Sequence, residues 1–221
     1  MDRCLQTKAS SREFWMIVSV TYGIQIIDTL LSCAVWGFQQ HILLTDRRLL
    51  WGTGMQIGLI GLVSWYLSTC GWKYSDFKFV VSWHQILEGI GFYILNLAIY
   101  QVWTGFLLQI PAVHDSVRPI SFEHHVTLPV AMAVTIVNPL FEEFLNLGYV
   151  QQCLAEHGAA FAVGVAVLLR LLSHIYQGPV AVLLILPMGV LFSLYFLFRR
   201  QLCALVIAHA LLDFIPLVSR V

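Results

Sequence analysis

The chain has 221 residues, of which 59% are hydrophobic and 11% charged; its twelve basic and twelve acidic side chains leave no formal net charge. That neutral balance argues against a nucleic-acid partner. A mean hydropathy of +0.80, laid out in long apolar runs, excludes an ordinary soluble domain and points to a membrane protein.

A helix crossing the ~30 Å hydrocarbon core takes about 20 residues. In chain order, the candidate spans are Phe14–Phe38, Leu49–Cys70, Trp83–Ile110, Val126–Cys153, Ala159–Tyr176, Val180–Phe198 and Leu202–Val218. They predict an all-α, polytopic bundle of seven transmembrane helices, or eight if the fourth run breaks at Asn138–Pro139. The protein is therefore expected to be an integral, multi-pass membrane protein. Residues 1–125 read as scaffold helices and loops, and residues 126–221 as the helices that carry chemistry, within one membrane domain. The polar stretch before Phe14 precedes an apolar run too long for a signal-peptide core, so it reads as leading into an uncleaved first helix. Trp15, Trp36, Trp51, Trp83 and Trp103 fall near span ends, where amphipathic rings prefer to lie. Gly71–Ser82 reads as an interfacial loop, and Pro111–His125, with its prolines and histidines, as a loop by breaker content.

With seven spans and the N-terminus inside, the inner side holds Arg3, Lys8, Arg12, Lys73, Lys78, Arg199 and Arg200. The outer side then holds Arg47, Arg48, Arg118 and Arg220, so the positive-inside rule favours this orientation. Cys4, Cys33, Cys70, Cys153 and Cys203 show no CxxC spacing and suggest no disulfide framework.

Within the spans the ionisable residues are few and mostly acidic or imidazole: Asp28, Glu88, Glu142, Glu143, His174, His209 and Asp213, with Arg170 the one embedded cation. Intramembrane charges cost at least ~2.5–3.5 kcal/mol each on insertion scales and need a reason. Counted at ~1.5 Å per residue from the turns that join their helices, Glu142, His174 and Asp213 all fall about 18–22 Å from one face. Arg170 is level with Glu143 on the same count, and His209 lies one turn below Asp213. Three helices thus place acid and imidazole groups in one layer.

That layer suits water chemistry. A carboxylate with a neighbouring imidazole can take a proton from a water held between them. His209, supported by Asp213 four residues on, is a candidate donor to a developing oxyanion. Plainer roles remain open for each residue: a membrane glutamate can pair with an Arg or His on a neighbour, and His209 with Asp213 can be interhelical glue. Asp28 and Glu88 read as structural or interfacial, and His114, His124 and His125 as loop surface. Asn138 and Pro139 read either as a kink or as the cap and first residue of a new helix, which would put both glutamates in its first turns.

Three motifs carry a resemblance to a known family. PLFEEFLNLGYVQQ from Pro139 resembles a paired glutamate followed by x-x-x-Arg-Gly, RLLSHIYQGP from Arg170 resembles a Phe/Arg-x-x-x-His stretch, and AHALLDF from Ala208 resembles a His-x-x-x-Asn/Asp stretch. In this order they are similar to the intramembrane glutamic endopeptidases of the CAAX-protease and bacteriocin-processing (CPBP, or Abi) family, over about Val126–Pro216. The resemblance implies that Glu142 and His174 activate water, that His209 and Asp213 form the oxyanion site, and that Glu143, Arg170 and Asn146 support them. It implies a peptide or membrane-anchored protein as substrate, in contact with membrane lipid. No resident cofactor is expected: zinc is possible but not favoured, because the chain has no HExxH. The family's arginine falls at Leu147 here, and Arg170 is the candidate replacement from the facing helix. The alternative is an inactive binding or immunity protein with the same fold. A proton-coupled transporter is disfavoured by the lack of an inverted repeat.

Overall fold

A computed structural model describes residues 9–36, 43–114, 121–122 and 126–218. Arg3, Cys4, Lys8, Arg118, His124, His125 and Arg220 lie outside these residues, as do the side chains of Asp28, Cys33, Trp36 and His114.

Helix α1 spans Ser11–Val18, and the hydroxyl of Ser10 caps it by accepting from the Glu13 N–H. A π-helical stretch, Ser19–Gly23, leads into α2, Ile24–Trp36. Helix α3 is Asp46–Thr69, capped by Thr45, and α4 is Trp83–Leu107, capped by Ser82. Helix α5, Leu128–Glu143, widens into a second π-helical stretch, Phe144–Gln151, and the rod ends in a tight turn at Ala155–His157. Helices α6 (Ala159–Ser173), α7 (Pro179–Arg199) and α8 (Cys203–Val218) follow. Gly158 and Gly178 open α6 and α7 at φ of +106° and +94°, a backbone region that a side chain would strain. The only β pairing among the described residues joins Leu43–Leu44 to Ser121–Phe122.

Among the described residues these elements make seven long rods in an all-α membrane helix bundle. Four stretches are long and apolar enough to cross a membrane: Ser11–Leu31, Trp83–Leu107, Leu128–His157 and Val180–Arg199. Helices α6 and α8 are apolar but shorter, at 15 and 16 residues. At ~1.5 Å per residue they fall short of a ~30 Å core, so the expectation that every apolar run is a full-length span does not hold for them.

The chain continues through Pro139 without a break. Asn138 does not cap a new helix there; Pro139 sits inside α5, and both glutamates lie at its C-terminal end. A membrane helix tolerates an internal proline because neighbouring helices satisfy the groups it frees. The dipole at a helix N-terminus is therefore not what holds the two carboxylates.

Polarity is distributed inside out. Trp51, Trp65, Val102 and Phe198 are well exposed on the outer face, while Glu143, Asn146, Gln151, Arg170, Ser193 and His209 are buried. Every residue from Leu145 to Gln151 is buried, so this stretch is the central rod of the bundle. The 71–82 segment is less peripheral than its composition suggests. Trp72 and Phe77 turn inward, with the Phe77 ring 4.3 Å from that of Phe144, and the Trp72 indole donates to buried Glu13 at 2.9 Å.

Helix α8 packs on α4 and α5, α3 on α5, and α6 on α7. The α4–α8 crossing depends on Gly89. A Cβ there would stand 2.8 Å from the carbonyl oxygen of Ala204 and 2.8 Å from the Cβ of Ile207. Gly89→Ala is expected to cost about 1–3 kcal/mol by overpacking, seen as a lowered unfolding midpoint in detergent. Gly91→Ala, which meets open space, is the control and should leave the midpoint unchanged or slightly raised.

Candidate active site

The two glutamates are neighbours in sequence but project from the helix about 100° apart, so they meet different surroundings. Glu143 points into the dry centre. One of its oxygens accepts from the Arg170 guanidinium on α6 at 2.6 Å, and the other meets Nδ1 of His209 on α8 at 2.6 Å. The side chains of Glu143, Arg170 and His209 are 0%, 2% and 6% exposed. Arg170 also lies over the Phe192 ring, 5.6 Å from its centroid.

Glu142 faces the edge of this core. Its carboxylate is 4.0 Å from Nε2 of His174, and both side chains keep some access to solvent, at 20% and 16%. His174 lies at the end of α6, where its Nδ1 is 2.8 Å from the carbonyl oxygen of Arg170. A carbonyl only accepts, so Nδ1 carries the hydrogen. That assignment leaves Nε2, the nitrogen nearest Glu142, as the one that can accept or release a proton. Ser173 stands beside it, with its hydroxyl donating to the same carbonyl at 2.9 Å and lying 3.1 Å from Nδ1.

A third group connects to His209 from its other side. Nε2 of His209 is 3.6 Å from Asp213, an ion-pair distance. The Asn138 amide donates to the same Asp213 oxygen at 3.0 Å, and Gln56 on α3 donates to the Asn138 carbonyl at 2.7 Å.

Asn146 is buried just after the glutamates. Its side-chain carbonyl accepts from the Tyr22 hydroxyl at 3.4 Å, while its amide nitrogen and Nη1 of Arg170 have no partner among the described residues. Tyr22, Gln56, Glu142, Asn146, Arg170 and Ser173 line a cavity of about 30 Å³. That is room for a water, with a carboxylate to accept from it and donors to hold it.

All seven residues singled out from the sequence lie in this region: Glu142 with His174, Glu143 with Arg170 and His209, His209 with Asp213, and Asn146 under Tyr22. Leu147, where the resembling family has its arginine, is fully buried, and the cation beside Glu143 is Arg170. Glu88 stands apart, bound to Tyr195 and Arg199. Sequence reasoning missed Tyr22, Gln56 and the amide role of Asn138. Each is a polar side chain in an apolar run, and their common signal is too weak to single them out without the packing.

Both Glu143 oxygens are engaged, one by a guanidinium that occupies the place of a positive ion. Among the described residues no group of three or more His, Cys, Asp or Glu side chains is arranged to hold a metal.

A membrane helix bundle with a buried carboxylate–guanidinium–imidazole set and a more open carboxylate–imidazole pair defines a narrow class of protein. Residues 124–215 match the family model described as type II CAAX prenyl endopeptidase Rce1-like. The family is one of peptide hydrolases, and the match covers every site residue except Tyr22 and Gln56. No curated protein and no solved structure matches the chain.

Arg170→Leu is expected to cost about 3–5 kcal/mol, because it strands a buried carboxylate. Adding Glu143→Leu should recover part of that loss in equilibrium unfolding in detergent. A loss in the double variant equal to the sum of the two single losses would show that the two charges do not depend on each other.

Proposed function

We propose that the protein is a multi-pass intramembrane endopeptidase that hydrolyses a peptide bond in a membrane-associated protein or peptide, using water activated by Glu142 and His174 and no resident metal. The observation that carries this reading is Glu142 itself. It lines a water-sized polar cavity and stands 4.0 Å from the proton-accepting nitrogen of His174, while Glu143 is sealed from water.

In this scheme the Glu142 carboxylate takes a proton as the water oxygen attacks the scissile carbonyl carbon. The carbonyl becomes an oxyanion, for which the outer N–H of a doubly protonated His209 is the donor at hand. His209 in that form completes a neutral set with Glu143, Arg170 and Asp213, in keeping with the rule that buried charges occur in pairs. Collapse of the tetrahedral intermediate breaks the C–N bond, and the proton held by Glu142 or passed to His174 goes to the leaving amine. Glu143 does not touch substrate here; it positions His209 and Arg170. The family description points to prenylated CAAX chains as the substrate class, which would present their cleavage site at the membrane.

A non-catalytic binding or immunity protein that grips a peptide in the polar cavity is the second reading. Leu147 in place of an arginine favours it, and the pairing of Arg170 with Glu143 favours the first.

Glu142→Gln keeps shape and loses the base. Hydrolysis of a farnesylated CAAX peptide in vesicles is expected to fall ~10²–10⁴-fold, with the unfolding midpoint unchanged. Full activity in this variant would overturn the role of Glu142. Binding of the peptide by wild type without cleavage would favour the second reading.

A further inference from the structure

We infer that Gln56, on α3 in the N-terminal half, is a positioning residue for the site: through Asn138 it fixes Asp213 beside His209. The inference rests on reading this site as the hydrolytic centre.

The chemistry of the donors sets the order of the chain. An ionised Asp213 only accepts, so the Asn138 group that meets it at 3.0 Å must be the NH2. The amide is planar, and its carbonyl therefore faces the other way. There it meets Gln56 at 2.7 Å, which must in turn present its own NH2. The carboxylate sets the Asn138 orientation, and the partly buried Gln56 amide supplies the donor that the outward Asn138 carbonyl then needs. Without Gln56 that carbonyl is left unpaired among apolar neighbours, and Asn138 gives up its present rotamer to find another donor. Asp213 then loses the amide that holds it 3.6 Å from Nε2 of His209.

The consequence is specific to an acid at position 213. An asparagine there has no charge to pair with Nε2 of His209, so little is left for Asn138 to position. Gln56 should matter when residue 213 is Asp and matter little when it is Asn. A side chain that merely fills space would matter equally in both.

The test is a double-substitution cycle on the full chain in vesicles. It uses Gln56→Leu and the closer isostere Gln56→Met, each alone and with Asp213→Asn. Against a farnesylated CAAX peptide, Gln56→Met and Gln56→Leu are expected to lower kcat roughly ten- to hundred-fold with KM little changed. In the Asp213→Asn background the same changes should move kcat by less than about two-fold. Equal losses in both backgrounds, or a loss confined to KM, would overturn the inference. Unfolding midpoints of the same set give a readout that needs no substrate. If wild type cleaves nothing while the midpoints still show Gln56 coupled to Asp213, the hydrolytic reading fails and the amide relay stands. If wild type cleaves and the midpoints and rates show no coupling, the relay fails and the hydrolytic reading stands.

Discussion

Glu143, Arg170 and His209 meet in the buried centre of the bundle, and the geometry of the protein is organised around keeping them together. Taking a carboxylate or a guanidinium out of water costs several kcal/mol per ion even after relaxation. Glu143 recovers that cost only through two direct contacts at 2.6 Å, one from α6 and one from α8. Neither helix can slide or rotate by an ångström without exposing an unpaired charge to an apolar interior. The triad therefore fixes the register of α5, α6 and α8, and with it the position of every other polar group in the site. Such pairs contribute more to a unique arrangement than to net stability, because a well-packed apolar trio would cost less to bury.

Two adjacent glutamates divide the labour because a helix turns about 100° per residue. One rotation separates a carboxylate held by Arg170 and His209 from one that lines the small polar cavity. The π-helical stretch after Glu143 carries Asn146, which is buried under Tyr22 of the π-helical stretch Ser19–Gly23. Such widened turns recur at functional sites, since they re-aim side chains that a regular helix would place elsewhere. His174 gains its orientation from a different local feature. It ends α6 just before Gly178, and the carbonyl of Arg170 holds its ring. The residue that pairs with Glu143 thus also sets, through its backbone, the tautomer of the imidazole next to Glu142.

The N-terminal half is more than a scaffold. Helix α3 supplies Gln56 and the first π-helical stretch supplies Tyr22, so both halves of the chain line the polar cavity. A second buried acid, Glu13, accepts from the Trp72 indole and the Tyr149 hydroxyl, and so ties α1 and the 71–82 segment to the central rod. These links carry neutral donors and no cation, which suits an anchoring role.

The class of fold is legible in the residue order alone, because long apolar runs admit only helices in a membrane. The same order also marked the residues around which the site forms, because ionisable groups are too costly in lipid to be scattered without cause. Depth along a helix is readable from residue counts, and that is how Glu142, His174, Arg170, His209 and Asp213 drew attention together. Rotation about the helix axis and the choice of neighbour are not readable in this way. The packing of separate helices sets Arg170 and His209 against Glu143, His174 toward Glu142, and the Asn138 amide against Asp213 from within an unbroken helix. Those choices depend on which faces of separate rods meet, and a polar residue such as Gln56 acquires meaning only when another helix brings it a partner.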